Sequence, residues 1–299
     1  SWDEYTETVR KLNEANGLFG TVVSGQQPVP IVHMFSQIAS SMGAKWFEAF
    51  PDAENWDFTP RMNQPEMVAA VEQYKALYEL SPPESVNYNW FDAGMRFADG
   101  DIGMLYWWSA YFYLVNAKGY MTGEPSPVKG DVGIVDAPIQ PGADGAVSLG
   151  GWSFGMPSTT DKPAEAWEYI KWSTSAKTQK AMGMYDKYGA MFSDFSRESL
   201  FTDSDLLEVY PYLTAARSML NGADGKLARP PAPIYTTLEG ILGLELNKVI
   251  AGHSTAADAM EQVNSLFTNT LKGNFMLPYA QESYNDTLDS TKALMKALA

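Results

Sequence analysis

The sequence predicts an α/β fold, rich in helix and divided into two lobes, and three observations carry that expectation. The chain has 299 residues and a mass of 33.0 kDa, more than one typical domain core holds, so two lobes with separate cores are the natural arrangement. As far as Met156, segments with helical apolar spacing alternate with short glycine-flanked runs of β-branched and apolar residues. From Ala176 onward almost everything carries helical spacing, broken at Gly189, Asp203, Gly222 to Gly225, Pro230 and Pro231, Gly252, and Gly273 and Asn274.

Ser1, Trp2, Asp3 and Glu4 form a capping-box pattern, so a helix starts at the first residue, continues through Tyr5, Val9 and Leu12, and stops at Asn16 and Gly17. Leu18 to Ser24 reads as a strand. A helix is expected from about Val32 to Met42, followed by a loop bearing Trp46 and Trp56. Pro65 opens a long amphipathic helix whose inner face carries Val68, Val71, Tyr74, Leu77 and Tyr78, and Ser81, Pro82 and Pro83 end it. Phe91, Met95 and Phe97 mark a short helix, and Ala98 to Asp101 turns. Ile102 to Tyr106 reads as a buried strand, with another helix starting at Trp107. Beyond a loop rich in Gly and Pro, Val132 to Val135 and Trp152 to Met156 read as strands. The helix that follows Asp161 presents Ala166, Tyr169, Ile170 and Ser173 on one face. The tail beyond Gly273 is expected to add an amphipathic helix.

Composition excludes several functions. With 21 Lys and Arg against 36 Asp and Glu, the net charge of -15 repels phosphate backbones and anionic lipid surfaces, so nucleic acid and membrane surfaces are not expected partners. Without cysteine there is no disulfide, thiolate nucleophile or cysteine-based metal site. His33 and His253 are the only histidines, too few for a multi-histidine zinc site. No P-loop, dinucleotide fingerprint or HExxH helix occurs, and no cofactor is expected. Asp92, Asp99, Asp101, Asp131 and Asp136 could supply the facing carboxylate pair of a glycoside hydrolase, although solvation is the usual fate of such residues.

Nine Trp, sixteen Tyr and fourteen Phe suit sugars, whose C–H faces stack on rings and whose hydroxyls need hydrogen bonds. Trp107 and Trp108 are adjacent and must point in different directions. Trp152 follows Gly150 and Gly151, where a backbone can approach a ligand closely. For each of these three tryptophans, core packing and ligand contact are both open.

Three stretches carry a family resemblance. The run from Phe91 to Met104, the run Leu149 to Pro157 with the helix Lys162 to Trp172, and Arg229, Pro230, Pro233 and Tyr235 followed by Val249 to Gly252 resemble, in order, motifs of the extracellular solute-binding proteins of carbohydrate ABC transporters, the maltose-binding-like family. Trp2, Asp3 and Glu4 resemble a "tWdE" motif of the same family. The resemblance implies a type II periplasmic-binding-protein fold, two α/β lobes closing on a sugar by a hinge motion, with no bond made or broken. It implies ligand contacts at Trp107, Trp108, Gly151, Trp152, Arg229, Tyr235 and His33, although a structural histidine is at least as natural a reading of His33.

In that family the "tWdE" helix is preceded by a first segment of the N-terminal lobe, of order a hundred residues. The N-terminal lobe is therefore expected to be incomplete here: 1–148 and 200–299 correspond to the C-terminal lobe and 149–199 to a remnant of the other. Tyr188 to Ser193 stands where the family carries "GG.P.r". The expected protein is a monomer that binds a sugar or polyol and delivers it to the membrane permease subunits of an ABC importer. It would be periplasmic or extracellular, with or without a lipid anchor; no signal peptide is present within the chain. A carbohydrate-active hydrolase using a carboxylate pair is the alternative, and a helical adhesion module is the third reading.

Overall fold

The computed structural model of the protein describes residues 1–16, 18–49, 57–116, 125–143, 148, 150–184, 194–222, 228–230 and 232–273. They form two compact units, each discontinuous in sequence. The first holds Ser1–Ser24, Ala76–Pro141 and Leu149–Ala223, and the second holds Gly25–Lys75, Gly142–Ser148 and Asp224–Ala299. The lobe boundaries at 148 and 199 express correspondence with a two-lobed family, not compactness, and stay a proposal.

In the first unit, helix α1 (Trp2–Asn16) starts where the capping box puts it. The Glu4 N–H donates to Ser1 Oγ at 3.3 Å, and the Ser1 amino group donates back to the Glu4 carboxylate at 2.9 Å. Trp2, Tyr5 and Val9 are buried. The chain then turns back so tightly that a Cβ on Gly20 would overlap the Val9 carbonyl, which only glycine avoids. The next segment pairs in parallel with the chain around Ile102: Phe19 N–H donates to Asp101 O at 3.1 Å, and Gly103 and Met104 N–H donate to Phe19 and Gly20 O at 2.9 Å. The contact is an isolated bridge between Phe19 and Ile102, and the two strands expected over 18–24 and 102–106 do not form among the described residues.

Helix α4 (Trp90–Ala98) is capped by Asn89, whose side chain accepts from the Phe91 and Asp92 N–H groups while Asp92 answers the Asn89 N–H at 3.0 Å. The helix expected from Trp107 begins later, as a 3-10 turn at Ser109–Tyr111 running into α5 (Tyr113–Asn116). A core of Phe112, Phe195, Leu206, Tyr210 and Leu213 joins that region to α8 (Ser204–Val209) and α9 (Leu213–Gly222).

Two more expectations are corrected in this unit. Residues 132–135 and 152–156 form no ladder among the described residues, because a strand needs a neighbour as well as a suitable sequence. Helix α6 (Pro163–Ser173) leads to α7 (Ala176–Gly183), and the α6 face that carries Ala166, Tyr169, Ile170 and Ser173 covers no core among the described residues, since no residue of the helix is buried.

Helix α3 (Pro65–Glu79) divides between the units after Lys75. Its buried residues are Met67, Ala70, Val71, Tyr74 and Leu77, while Val68 and Tyr78 are half-buried. Met67 and Val68 are both apolar, so two stripes one residue apart fit helical spacing equally well.

In the second unit, α2 (Val29–Ser41) starts three residues before the expected Val32, since Pro28 and Pro30 occupy cap and first-turn positions that need no N–H. His33 therefore lies a turn inside the helix. Helix α10 (Tyr235–Ile250) packs on α2 and on α11 (Ala256–Gly273). The approach to α2 is close enough that a Cβ on Gly243 would overlap the Pro28 carbonyl, and Asn247 Nδ2 donates to Gly25 O at 3.0 Å. Trp56, Leu149, Tyr188 to Ser193, Gly225 and the expected C-terminal helix lie outside the described residues. No helix among the described residues is long and apolar enough to cross a membrane.

Candidate ligand-binding residues

Three of the residues singled out from sequence come together in the second unit. His33 is on α2, Tyr235 opens α10, and Arg229 lies six residues before Tyr235. Glu239, one helical turn beyond Tyr235, joins them. Its carboxylate lies 2.7 Å from His33 Nε2 and accepts the Tyr235 hydroxyl at 2.9 Å, although Glu239 is only 3% exposed. A carboxylate so far from water is tolerated when polar partners surround it. The Arg229 guanidinium carbon stands 5.4 Å from the Tyr235 ring centroid, within cation–π range.

Trp46 completes the cluster. Its carbonyl accepts the Arg61 N–H at 2.9 Å beside the Phe47–Pro60 bridge, which fixes the loop, and its indole stacks on Tyr235 at 5.5 Å and 30°. Burial, and then the neighbouring Glu239 carboxylate, push the Tyr235 phenol well above its ordinary pKa, so it remains a hydrogen-bond donor at any working pH. Glu239 was missed from sequence, although its i+4 spacing from Tyr235 places both on one helical face. Trp46 appeared only as a loop aromatic.

Trp107 and Trp108 lie in the first unit, both half-buried. The Trp107 indole N–H donates to Trp90 O at 3.1 Å, and the ring stacks on Tyr111 at 5.7 Å and 21°. A Cβ on Gly94 would overlap that ring, so Trp107 is held by packing and its N–H is already used. Trp108 meets Trp90 edge-on at 6.4 Å. Ser109 Oγ next to it donates to Asp194 at 3.4 Å, and burial raises the Asp194 carboxyl above its ordinary pKa.

Gly151 and Trp152 lie in the irregular stretch before α6 in the same unit. A side chain on Gly151 would meet only open space, and Trp152 is fully exposed. No ring contact joins Trp152 to Trp107 or Trp108 among the described residues. Of the carboxylates considered for a hydrolase, Asp92 is used in the α4 cap and Asp101 pairs with Arg96 at 3.0 Å.

Residues 1–180 match the model of the bacterial extracellular solute-binding protein family, and the chain belongs to that family. A probable ABC transporter-binding protein of Deinococcus radiodurans is 22% identical over 220 residues, 73% of this chain and 50% of that protein. An ABC transporter solute-binding protein from Agrobacterium radiobacter K84, solved in complex with ribitol, superposes with a TM-score of 0.74 at 29% identity, over 90% of this chain and 64% of that one. Maltose-bound MalE3 of T. maritima superposes with a TM-score of 0.76 at 24% identity, over 91% of this chain and 65% of its own. The fold class is that of the two-lobe type II binding proteins. The chain spans about half the length of the curated relatives it matches.

Proposed function

We propose that this chain is the sugar- or polyol-capturing part of an ABC importer's binding protein, acting outside the cytoplasmic membrane as a monomer and handing its ligand to the permease subunits. The observation that carries the reading is the meeting of His33 and Tyr235, from two helices distant in sequence, on the buried Glu239 carboxylate, with Arg229 over the Tyr235 ring and Trp46 stacked on it. A neutral polyhydroxylated ligand needs such a set: planar donors and acceptors for vicinal hydroxyls, and ring faces for C–H groups. Within the first unit, taken by itself, Trp108 and the exposed Trp152 are read as ring faces for ligand, Gly151 as a point of backbone access, and Trp107 as the ring that packs on Tyr111 and bonds the Trp90 carbonyl.

Family membership supports the transport role, and the relatives that hold ribitol and maltose support the ligand class. No covalent step is required, no cofactor enters the reading, and nucleic acid has no place in it. Residues 149–199 are assigned to the lobe that the chain spans incompletely, and the location is periplasmic or extracellular, with or without a lipid anchor.

The test is a tryptophan-fluorescence titration of the full-length gene product with ribitol, mannitol and maltose, alongside incubation with aryl glycosides. A saturable emission change without aryl release supports the reading. Release of the aryl group would favour the hydrolase instead.

A further inference from the structure

One face of α11 meets the loop that carries Trp46, within the second unit. Glu261, Asn264 and Phe267 recur every third residue, which sets them on one side of the helix. The Asn264 side-chain oxygen accepts the Met62 N–H at 3.1 Å, and Asn63 Nδ2 donates to Glu261 Oε2 at 2.8 Å. Phe267, fully buried, meets the Trp46 indole at 5.7 Å and 36° and the Phe47 ring at 6.4 Å and 33°. Consecutive N–H groups therefore tie Trp46 to this helix: that of Arg61 donates to Trp46 O at 2.9 Å, and that of Met62 donates to Asn264. Trp46 is only 3% exposed, so its indole offers little face to a ligand and acts on the site through Tyr235, on which it stacks.

We propose that Asn264 is a positioning residue of the candidate site: by holding the Met62 backbone against α11 it sets the plane of Trp46, and through Trp46 the ring of Tyr235. The inference rests on the reading of His33, Arg229 and Tyr235 as ligand-binding residues. Tyr235 has to aim its hydroxyl at Glu239 while its ring carries the Arg229 guanidinium. Hydrogen bonds weaken steeply as their angle departs from linear, so a tilt of this ring loosens the set. Met62 is itself fully buried. Shortening Asn264 leaves its N–H without that acceptor, and the loop has to shift for the N–H to regain one.

The test compares the full-length gene product with Asn264→Ala, Asn264→Asp and Asn264→Gln, titrated calorimetrically with ribitol, mannitol and maltose well below their melting temperatures. Asn264→Ala should weaken the affinity about five-fold, and Asn264→Asp, which keeps the accepting oxygen, should bind within about two-fold of wild type. Without ligand, Asn264→Ala should alter the near-ultraviolet circular dichroism and leave the far-ultraviolet helix signal unchanged. That alteration should vanish when both proteins compared also carry Trp46→Phe, a dependence that a merely structural role for Asn264 would not produce. Unchanged affinity in Asn264→Ala, equal weakening in Asn264→Asp, or a near-ultraviolet change that persists with Trp46→Phe would each overturn the proposal. Where Asn264→Ala loses its helix signal, Asn264→Gln decides: it keeps an acceptor but displaces it by one methylene, so it should weaken binding several-fold, and wild-type affinity there would sink the role. If the wild type binds none of the three ligands, the capture reading fails, while the ligand-free Trp46 signal still decides whether Asn264 sets this ring.

Discussion

His33 Nε2 and Glu239 Oε1 lie 2.7 Å apart, linking α2 to the first turns of α10 through two side chains that are nearly out of solvent. Tyr235 shares the same carboxylate oxygen, so one acceptor organises two of the residues assigned to ligand binding. Glu239→Ala should strand their polar atoms and destabilise the fold by about 1–3 kcal/mol. Glu239→Gln keeps an acceptor and should cost less. Urea denaturation of both variants checks the order, and a Glu239→Ala loss no larger than that of the exposed Glu7→Ala would contradict the role given to this carboxylate.

Tyr235→Phe removes only the hydroxyl that Glu239 accepts, so it should cost less stability than Glu239→Ala while also weakening binding. The loss of one hydrogen bond should weaken polyol affinity by about 0.5–1.5 kcal/mol, or more where the partner is charged. Because burial and Glu239 raise the phenol's pKa, the proton stays on throughout the neutral range, and wild-type affinity should show no step from Tyr235 between pH 6 and 9. Calorimetry across that range reads both effects.

The contact between α10 and the start of α2 offers a paired test. A Cβ at Gly243 meets backbone, the Pro28 carbonyl, which cannot move aside as a side chain could. Gly243→Ala should therefore destabilise by about 1–3 kcal/mol. Gly240, on the same helix with open space around it, should become more stable by up to about 1 kcal/mol as alanine. Opposite signs in thermal melts are the expected outcome.

Asp203 caps α8, accepting from the Asp205 and Leu206 N–H groups, and meets Lys180 Nζ at 2.7 Å. Asp203→Ala should cost about 1 kcal/mol of stability, while Asp203→Asn keeps the cap and should lose little. The Lys180 hydrogen bond holds the Asp203 carboxyl below its ordinary pKa. A depressed folded-state pKa contributes stability above the unfolded-state value and loses it as pH falls through the folded-state value. The difference between wild type and Asp203→Asn should therefore shrink in acid, as denaturation curves at descending pH would show.

Much of the fold was legible because local rules decide it. Ser1 with Glu4, and Pro65 at a first turn, fix helix starts through groups only a few residues apart, whereas the runs around Phe19 and Ile102, expected as strands, meet only in an isolated bridge. Legibility failed where partners decide. Residues 152–156 have a strand's sequence without a ladder among the described residues, and α6 has an amphipathic pattern without a core to cover. In the candidate site, Tyr235 and Arg229 entered through family motifs, whereas Glu239 is an ordinary exposed-type residue until α2 brings His33 against it. Trp107 could not be separated from Trp108 by sequence, since only the Gly94 contact and the Trp90 carbonyl reveal which ring is held by packing.

The central claim is capture without chemistry, and a calorimetric titration of the full-length protein with ribitol, mannitol and maltose, with the ligand recovered afterwards for NMR, tests it most directly. The account predicts saturable one-site heat with at least one of these ligands and its recovery unaltered. Absence of heat with every ligand, or recovery of maltose as glucose, would contradict it.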